Sequence, residues 1–275
     1  MKDRESNFEL LRIIATFLIL AVHANYLKLG QPVAFDAHHF PLNTFTRIYI
    51  QNLSLVCVDV FILISGYFSI RPKVKGVLNL VFLCLYWTLS LWCIDKFSYA
   101  LVARCGIAGI EAIPFPWNPI RGWFISAYFA LYLLAPVLNA FVEKCEQDKL
   151  KTFLVVFFAA EIGVDLIVPI WGEFKHGYSV LSFMSLYLLG RYVARYQPGW
   201  TRKSSMVYLC AYGGIFFVSS VIQFFVLRYC NNRFYDAVQS FCMSYDSPIV
   251  IAGSLFLLLA FSGIHFHNKF INLII

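Results

Sequence analysis

Two side chains in the first apolar segment, Arg12 and His23, carry the plainest chemistry in this sequence. They are eleven residues apart. At about 100° per residue, that spacing puts both on one face of a helix, about 20° apart around it and about 16 Å apart along it. An arginine is always charged and binds phosphate through two parallel donors. A histidine can take a proton from a hydroxyl and return it near neutral pH. A long, thin anionic ligand lying along such a helix would meet both. The alternatives are an Arg12 that snorkels to the headgroups and a His23 that is a hydrogen-bonded interfacial residue.

Three more ionisable residues fall inside apolar runs, where facing lipid costs several kcal/mol and a place in the protein interior is the default. Asn52, Asp59 and Gly66 recur every seven residues and so predict one shared face, with the glycine permitting close approach of another helix. Asp59 is a candidate to orient His23, or else to pair with a cation on another helix. Glu161 and Asp165 are an i, i+4 pair that suits a proton site or a wet cavity, or hydrogen bonds to neighbouring helices.

The elements that position these residues follow from composition. With 60% hydrophobic and 13% charged side chains, the chain departs far from the roughly 45–50% apolar and 25% charged usage of soluble domains. It has too little polar surface for a water-facing globule of 275 residues, which excludes a soluble enzyme, a disordered chain and a secreted disulfide scaffold. An all-α, polytopic membrane helix bundle is expected, with about eight complete spans. They run over residues 8–26, 50–68, 77–94, 123–141, 152–171, 178–196, 206–227 and 247–262, and a ninth run begins at Phe270. The first is read as an uncleaved helix, because Asp3 and Glu5 sit among its flanking cations and no small-residue cleavage site follows it.

Lys and Arg concentrate in the short segments that lie inside if the N-terminus is cytoplasmic, so the net charge of +7 needs no nucleic-acid partner. The longer outer loops, residues 27–49, 95–122 and 228–246, are the better place to recognise a large partner. The eight cysteines form no Cys-x-x-Cys, and His38, His39, His265 and His267 lack the further ligands of a zinc site. No metal is expected. Phosphate-cradling glycine loops, nucleophile elbows and His-Glu-x-x-His are absent from the sequence.

Four stretches, in order along the chain, resemble the acyltransferase 3 family. Glu9-Leu10-Leu11-Arg12-Ile13-Ile14-Ala15 and the apolar run to His23 are similar to its first helix, which carries Arg, ten residues, then His. Cys57-Val58-Asp59-Val60-Phe61-Ile62-Leu63-Ile64-Ser65-Gly66-Tyr67-Phe68 resembles its second-helix signature. Gly122-Trp123-Phe124 leading to Tyr132-Leu133-Leu134-Ala135-Pro136-Val137-Leu138, and Tyr245-Asp246-Ser247-Pro248, look like later blocks.

The resemblance implies a multi-pass O-acyltransferase of the bacterial cytoplasmic membrane, N-terminus inside. It would pass an acyl group, usually acetyl, from cytoplasmic acetyl-CoA to a hydroxyl of an extracytoplasmic or lipid-linked polysaccharide. His23 would be essential to catalysis, as general base on the acceptor hydroxyl or as acceptor of the acyl group itself, and Arg12 would support it; Asp59 is the further catalytic candidate, as a partner of His23. Arg71, Lys73 and Lys75 are candidates for the donor's adenosine phosphates, the alternative being ordinary positive-inside charge. Trp123, Glu161 and Asp165 are candidates for acceptor contacts.

Two features depart from the family pattern. The Arg-x-x-Arg that many relatives carry after the second helix reads here Arg71-Pro72-Lys73-Val74-Lys75. The family usually has ten membrane helices, and this chain stops as the ninth begins, so a single membrane domain truncated at its C-terminus is expected. A polysaccharide exporter using Glu161 and Asp165, or an inactive family member, are the rival readings.

Overall fold

The computed structural model describes residues 5–104, 122–167 and 175–264, all helix and connections. In chain order the helices are α1 (Ser6–Val22), α2 (Ala34–His39), α3 (Pro41–Ser54), α4 (Cys57–Phe68), α5 (Val74–Arg104), α6 (Trp123–Lys144), α7 (Gln147–Ile167), α8 (Val180–Tyr196), α9 (Ser205–Tyr229), α10 (Asn232–Met243) and α11 (Pro248–Ser262). Among the described residues, six helical stretches are long and apolar enough to cross a membrane: Ser6–Lys28, Pro41–Phe68, Val74–Ser98, Trp123–Lys144, Ser205–Tyr229 and Asn232–Ser262. The expected polytopic helical membrane fold is therefore present. The two other expected spans are also helical, as α7 and α8. The run from Phe270 lies outside the described residues.

Over their described residues, the expected outer loops are largely helical, which corrects the sequence reading there. Residues 34–54 form α2 and α3, α5 continues to Arg104, and α10 occupies most of 228–246. Their polar residues hid amphipathic faces: α3 buries Thr44, Ile48, Gln51 and Asn52, and α10 buries Tyr235 and Cys242. Pro41 starts α3 at a position where its missing N–H costs nothing, and Asn231 caps α10 by accepting from Phe234 N at 2.8 Å. Similar caps open α8, where Ser179 accepts from Ser182 N at 3.1 Å, and α11, where Ser247 precedes Pro248.

The span Pro41–Phe68 is broken at Leu55–Val56. Backbone carbonyls freed at membrane depth need partners. Here Leu53 O accepts from Tyr212 OH at 2.6 Å and Leu55 O accepts from the Cys57 thiol at 3.9 Å. The break sends Asn52 and Asp59 to different neighbours. Asn52 joins α9, donating to Ser220 Oγ at 2.8 Å and accepting from Gln223 Nε2 at 3.1 Å, while Gln223 also donates to Ser219 Oγ at 2.9 Å. Replacing Asn52 with Leu strips this buried group of two bonds. The loss is expected to be about 1–2 kcal/mol, read as a lower melting temperature in detergent.

The chain divides into two compact units, one of Met1–Ile70 with Val137–Ile275, the other of Arg71–Pro136. In the first, the most extensive packing is α4 against α8, and glycines on both helices permit it. A Cβ on Gly66 would collide with the Tyr187 carbonyl oxygen, and one on Gly190 with that of Leu63. Below that crossing, three groups close a ring of hydrogen bonds. Tyr187 OH donates to Asn139 Oδ1 at 2.8 Å, Asn139 Nδ2 to Ile70 O at 2.9 Å, and Ile70 N to Tyr187 OH at 3.0 Å. Helix α11 packs on α9, and Gly253 makes room there for the ring of Phe216. In the second unit, Gly76 of α5 makes room for the hydroxyl of Tyr132, which accepts from Lys73 N at 3.4 Å. The seven described cysteines are free thiols, and Cys105 lies outside the described residues.

Candidate active site

Helix α1 is built with one buried and one uncovered side. Phe8, Leu11 and Ala15 are buried, and the Phe8 ring sits 4.9 Å from Tyr67 and 4.8 Å from Phe68. Asn7 donates to Phe261 O at 2.8 Å and ties the same end to α11. On the other side Arg12, Thr16, Ile19 and His23 form one stripe, none of them buried. Thr16 Oγ1 donates to the Arg12 carbonyl at 3.0 Å, so its hydroxyl lies back along the helix.

At the lower end of the stripe, the Arg12 guanidinium pairs with the carboxylate of Glu9, and it also lies 5.9 Å from the Phe68 ring centroid. Glu9 is only 4% exposed, whereas the Arg12 side chain is 30% exposed. A buried carboxylate thus fixes a guanidinium that keeps donors for another partner. Sequence reasoning missed Glu9, although its i, i+3 spacing to Arg12 is a known pairing signal.

At the upper end, His23 stands where the backbone changes from α-helix to a π-helical turn over His23–Lys28. Such turns are rare and frequently mark functional sites. The ring is exposed and makes no hydrogen bond or ion pair with any described residue. Helix α1 runs unbroken between the two residues, so their separation along the axis is about 16 Å.

Asp59 sits elsewhere. It is fully buried and accepts from Ser254 Oγ at 3.5 Å, within electrostatic reach of Glu161 and Asp246. Axial level explains why it does not reach His23. The helices α1 and α4 meet at Phe8, Tyr67 and Phe68, which lies roughly 13 Å from Asp59 along α4 and roughly 22 Å from His23 along α1. His23 is therefore level with α3, where its near neighbour Asn25 contacts Arg47 and Gln51.

Glu161 is buried in α7 and accepts from Ser185 Oγ at 3.3 Å. Asp165 lies one turn further along α7, and its side chain is outside the described residues. Asp246, placed by the sequence reading in an outer loop, is buried just before the Ser247 cap of α11. It belongs to the family-like block Tyr245-Asp246-Ser247-Pro248, and its place directly before a Ser-Pro helix start is a second signal that it is no ordinary loop acid. Among the described residues no group of His, Cys, Asp and Glu is arranged to hold a metal ion.

Arg71, Lys73 and Lys75 are exposed at and before the start of α5, and Trp123, 37% exposed, opens α6; all four belong to the second unit. An apolar cavity of about 650 Å³ lies between α9, α10 and α11, lined by Val218, Ser219, Phe241 and Cys242 among others, and none of the expected site residues borders it. The arrangement so far offers an uncovered helical stripe with an anchored cation at one end and an imidazole at the other.

The acyltransferase 3 family model, described as an acyltransferase domain, matches residues 5–275. No curated protein and no solved structure matches the chain. With a family match over nearly its whole length and several membrane-spanning helices, the chain belongs to the acyltransferase 3 family of membrane acyltransferases.

Proposed function

We propose that the chain acts as one membrane domain that carries an acetyl group from cytoplasmic acetyl-CoA to a hydroxyl of an extracytoplasmic or lipid-linked polysaccharide, in the bacterial cytoplasmic membrane. The observation that carries this reading is the uncovered stripe of α1, with Arg12 and His23 at its two ends. An extended pantetheine arm is of the same order as the roughly 16 Å between them. Arg12, held by Glu9, binds donor phosphate, so that the thioester comes to lie beside His23. His23 takes the proton of the acceptor hydroxyl as its oxygen attacks the thioester carbonyl. The C–O bond forms, the C–S bond breaks, and the proton passes to the departing thiolate. In the second unit, taken by itself, Arg71, Lys73 and Lys75 are exposed cations suited to phosphate, and Trp123 is a partly exposed aromatic suited to a sugar. Asp59 and Glu161, buried with serine partners, hold helices together rather than touch the reacting groups.

Mass spectrometry of O-acyl esters on the surface glycans of a deletion strain tests this, with and without the chain restored. Ester that returns with the chain supports the proposal; glycan that carries no ester despite membrane expression sinks it. The lower end of the stripe has its own prediction. Glu9→Gln removes the charge that holds Arg12 while keeping the shape, so the KM for acetyl-CoA should rise about 10-fold with kcat little changed. Arg12→Lys, which cannot offer two parallel donors, should raise it further. A KM unchanged in both variants would remove Arg12 from donor binding.

A further inference from the structure

The turn that presents His23 is gripped from a helix that the sequence reading treated as a loop. Asn25, 8% exposed, donates through Nδ2 to the Arg47 carbonyl at 2.8 Å and to Gln51 Oε1 at 3.3 Å. In return Arg47 Nε donates to Asn25 Oδ1 at 3.2 Å, and the same guanidinium reaches the carbonyls of Asn25, at 3.5 Å, and Gly30. Helix ends leave carbonyls without partners, and a π-helical turn places them irregularly. Here one arginine of α3 reaches the Asn25 carbonyl, which also accepts from the Leu29 N–H, and the Gly30 carbonyl just past the turn, and it locks to the Asn25 side chain as well. A surface cation does not spend its donors in this way.

His23 makes no hydrogen bond or ion pair of its own with any described residue. The backbone of residues 22–28 therefore sets its Cα–Cβ direction and the few staggered rotamers open to the ring, and that backbone is held by Asn25 and Arg47. We infer that Arg47 and Asn25 form a positioning clamp that fixes the π-helical turn and thereby aims the His23 imidazole at the acceptor hydroxyl. The inference rests on the reading of His23 as the general base. Neither residue touches donor or acceptor in this scheme; both act through the turn.

Placement errors near 1 Å can cost about 100-fold in rate. In an ester-forming assay with purified protein, acetyl-CoA and host glycan, Arg47→Lys and Asn25→Ala should lower kcat about 30- to 100-fold per folded molecule. The KM for acetyl-CoA should stay within about twofold, because Arg12 is untouched. Lysine fails because a single ammonium cannot reach the Asn25 side chain and both carbonyls at once. For Arg47→Ala, added methylguanidinium should restore a measurable part of kcat, a rescue that a merely structural role would not show.

His23→Ala is measured alongside. If it is inactive while Arg47→Lys and Asn25→Ala keep kcat within about threefold of the parent, the clamp is wrong and the His23 reading stands. The clamp is equally overturned if the two variants lose activity only in proportion to the folded protein they yield. If His23→Ala itself turns over normally, the general-base reading fails and the clamp falls with it. Should Arg47→Ala not accumulate, the lysine and Asn25 variants carry the test.

Discussion

His23→Ala is expected to remove ester formation while leaving the protein folded. Loss of a positioned general base costs typically 10²–10⁴-fold, so turnover should fall by about 10³-fold, below detection in a glycan ester assay. Folding should be spared, because the ring is exposed and no described residue bonds to it. The melting temperature in detergent should match the parent within about 2 °C, since uncovered, unbonded side chains change stability by less than about 0.5 kcal/mol. His23→Gln keeps a hydrogen-bonding group but no base and should be equally inactive. The check is mass spectrometry of glycan esters paired with a thermal melt of the same preparation. Wild-type ester from His23→Ala would end the general-base reading and leave Arg12 as a phosphate anchor for some other chemistry.

The second large effect is on the fold. Gly66→Leu should prevent the protein from accumulating as a monodisperse species, and Gly66→Ala should lower its melting temperature. The collision at Gly66 is with the Tyr187 carbonyl oxygen, a backbone atom that no rotamer change can move. Gly190 meets Leu63 O from the opposite side, so α4 and α8 must part along their whole crossing. Extra methylenes in a packed core cost about 1–3 kcal/mol, and separation of two backbones at membrane depth adds the contacts that drive helix association there. Parting the helices also opens the ring of Tyr187, Asn139 and Ile70. Gly214→Ala is the control, because nothing lies within 4 Å of a Cβ at that position. Fluorescence-detected size exclusion reads the result; a monodisperse Gly66→Leu variant with parental melting temperature would refute the packing argument.

Much of this architecture was legible from local pattern. Apolar runs of about 20 residues announce membrane helices, because hydrocarbon thickness sets their length and unsatisfied backbone forbids anything else. The places where pattern misled are amphipathic. Helices α2, α3 and α10 carry enough polar residues to look like loops, yet their buried sides lie against α9 and its neighbours. Of the heptad Asn52, Asp59 and Gly66, only Asn52 lies before the interruption at Leu55–Val56, and it bonds to α9, whereas Asp59 and Gly66 stay together on the unbroken α4 and meet Ser254 of α11 and the backbone of α8. Nothing local marks that interruption. The carbonyls there accept from the hydroxyl of Tyr212, some 160 positions away in sequence, and from the Cys57 thiol.

By itself, then, the sequence determined the class of fold, the family blocks in their order, and the shared face of Arg12 and His23. Each depends only on composition, spacing and the 3.6-residue period within one segment. Only the tertiary structure decided which neighbour each polar group meets: Glu9 beneath Arg12, the carboxylates of Glu161 and Asp246 near Asp59, and Arg47 around the turn after His23. Those pairings depend on the axial level and rotation of one helix against another. Level and rotation are set where glycines let backbones touch and where a helix breaks, by contacts between residues far apart in the chain.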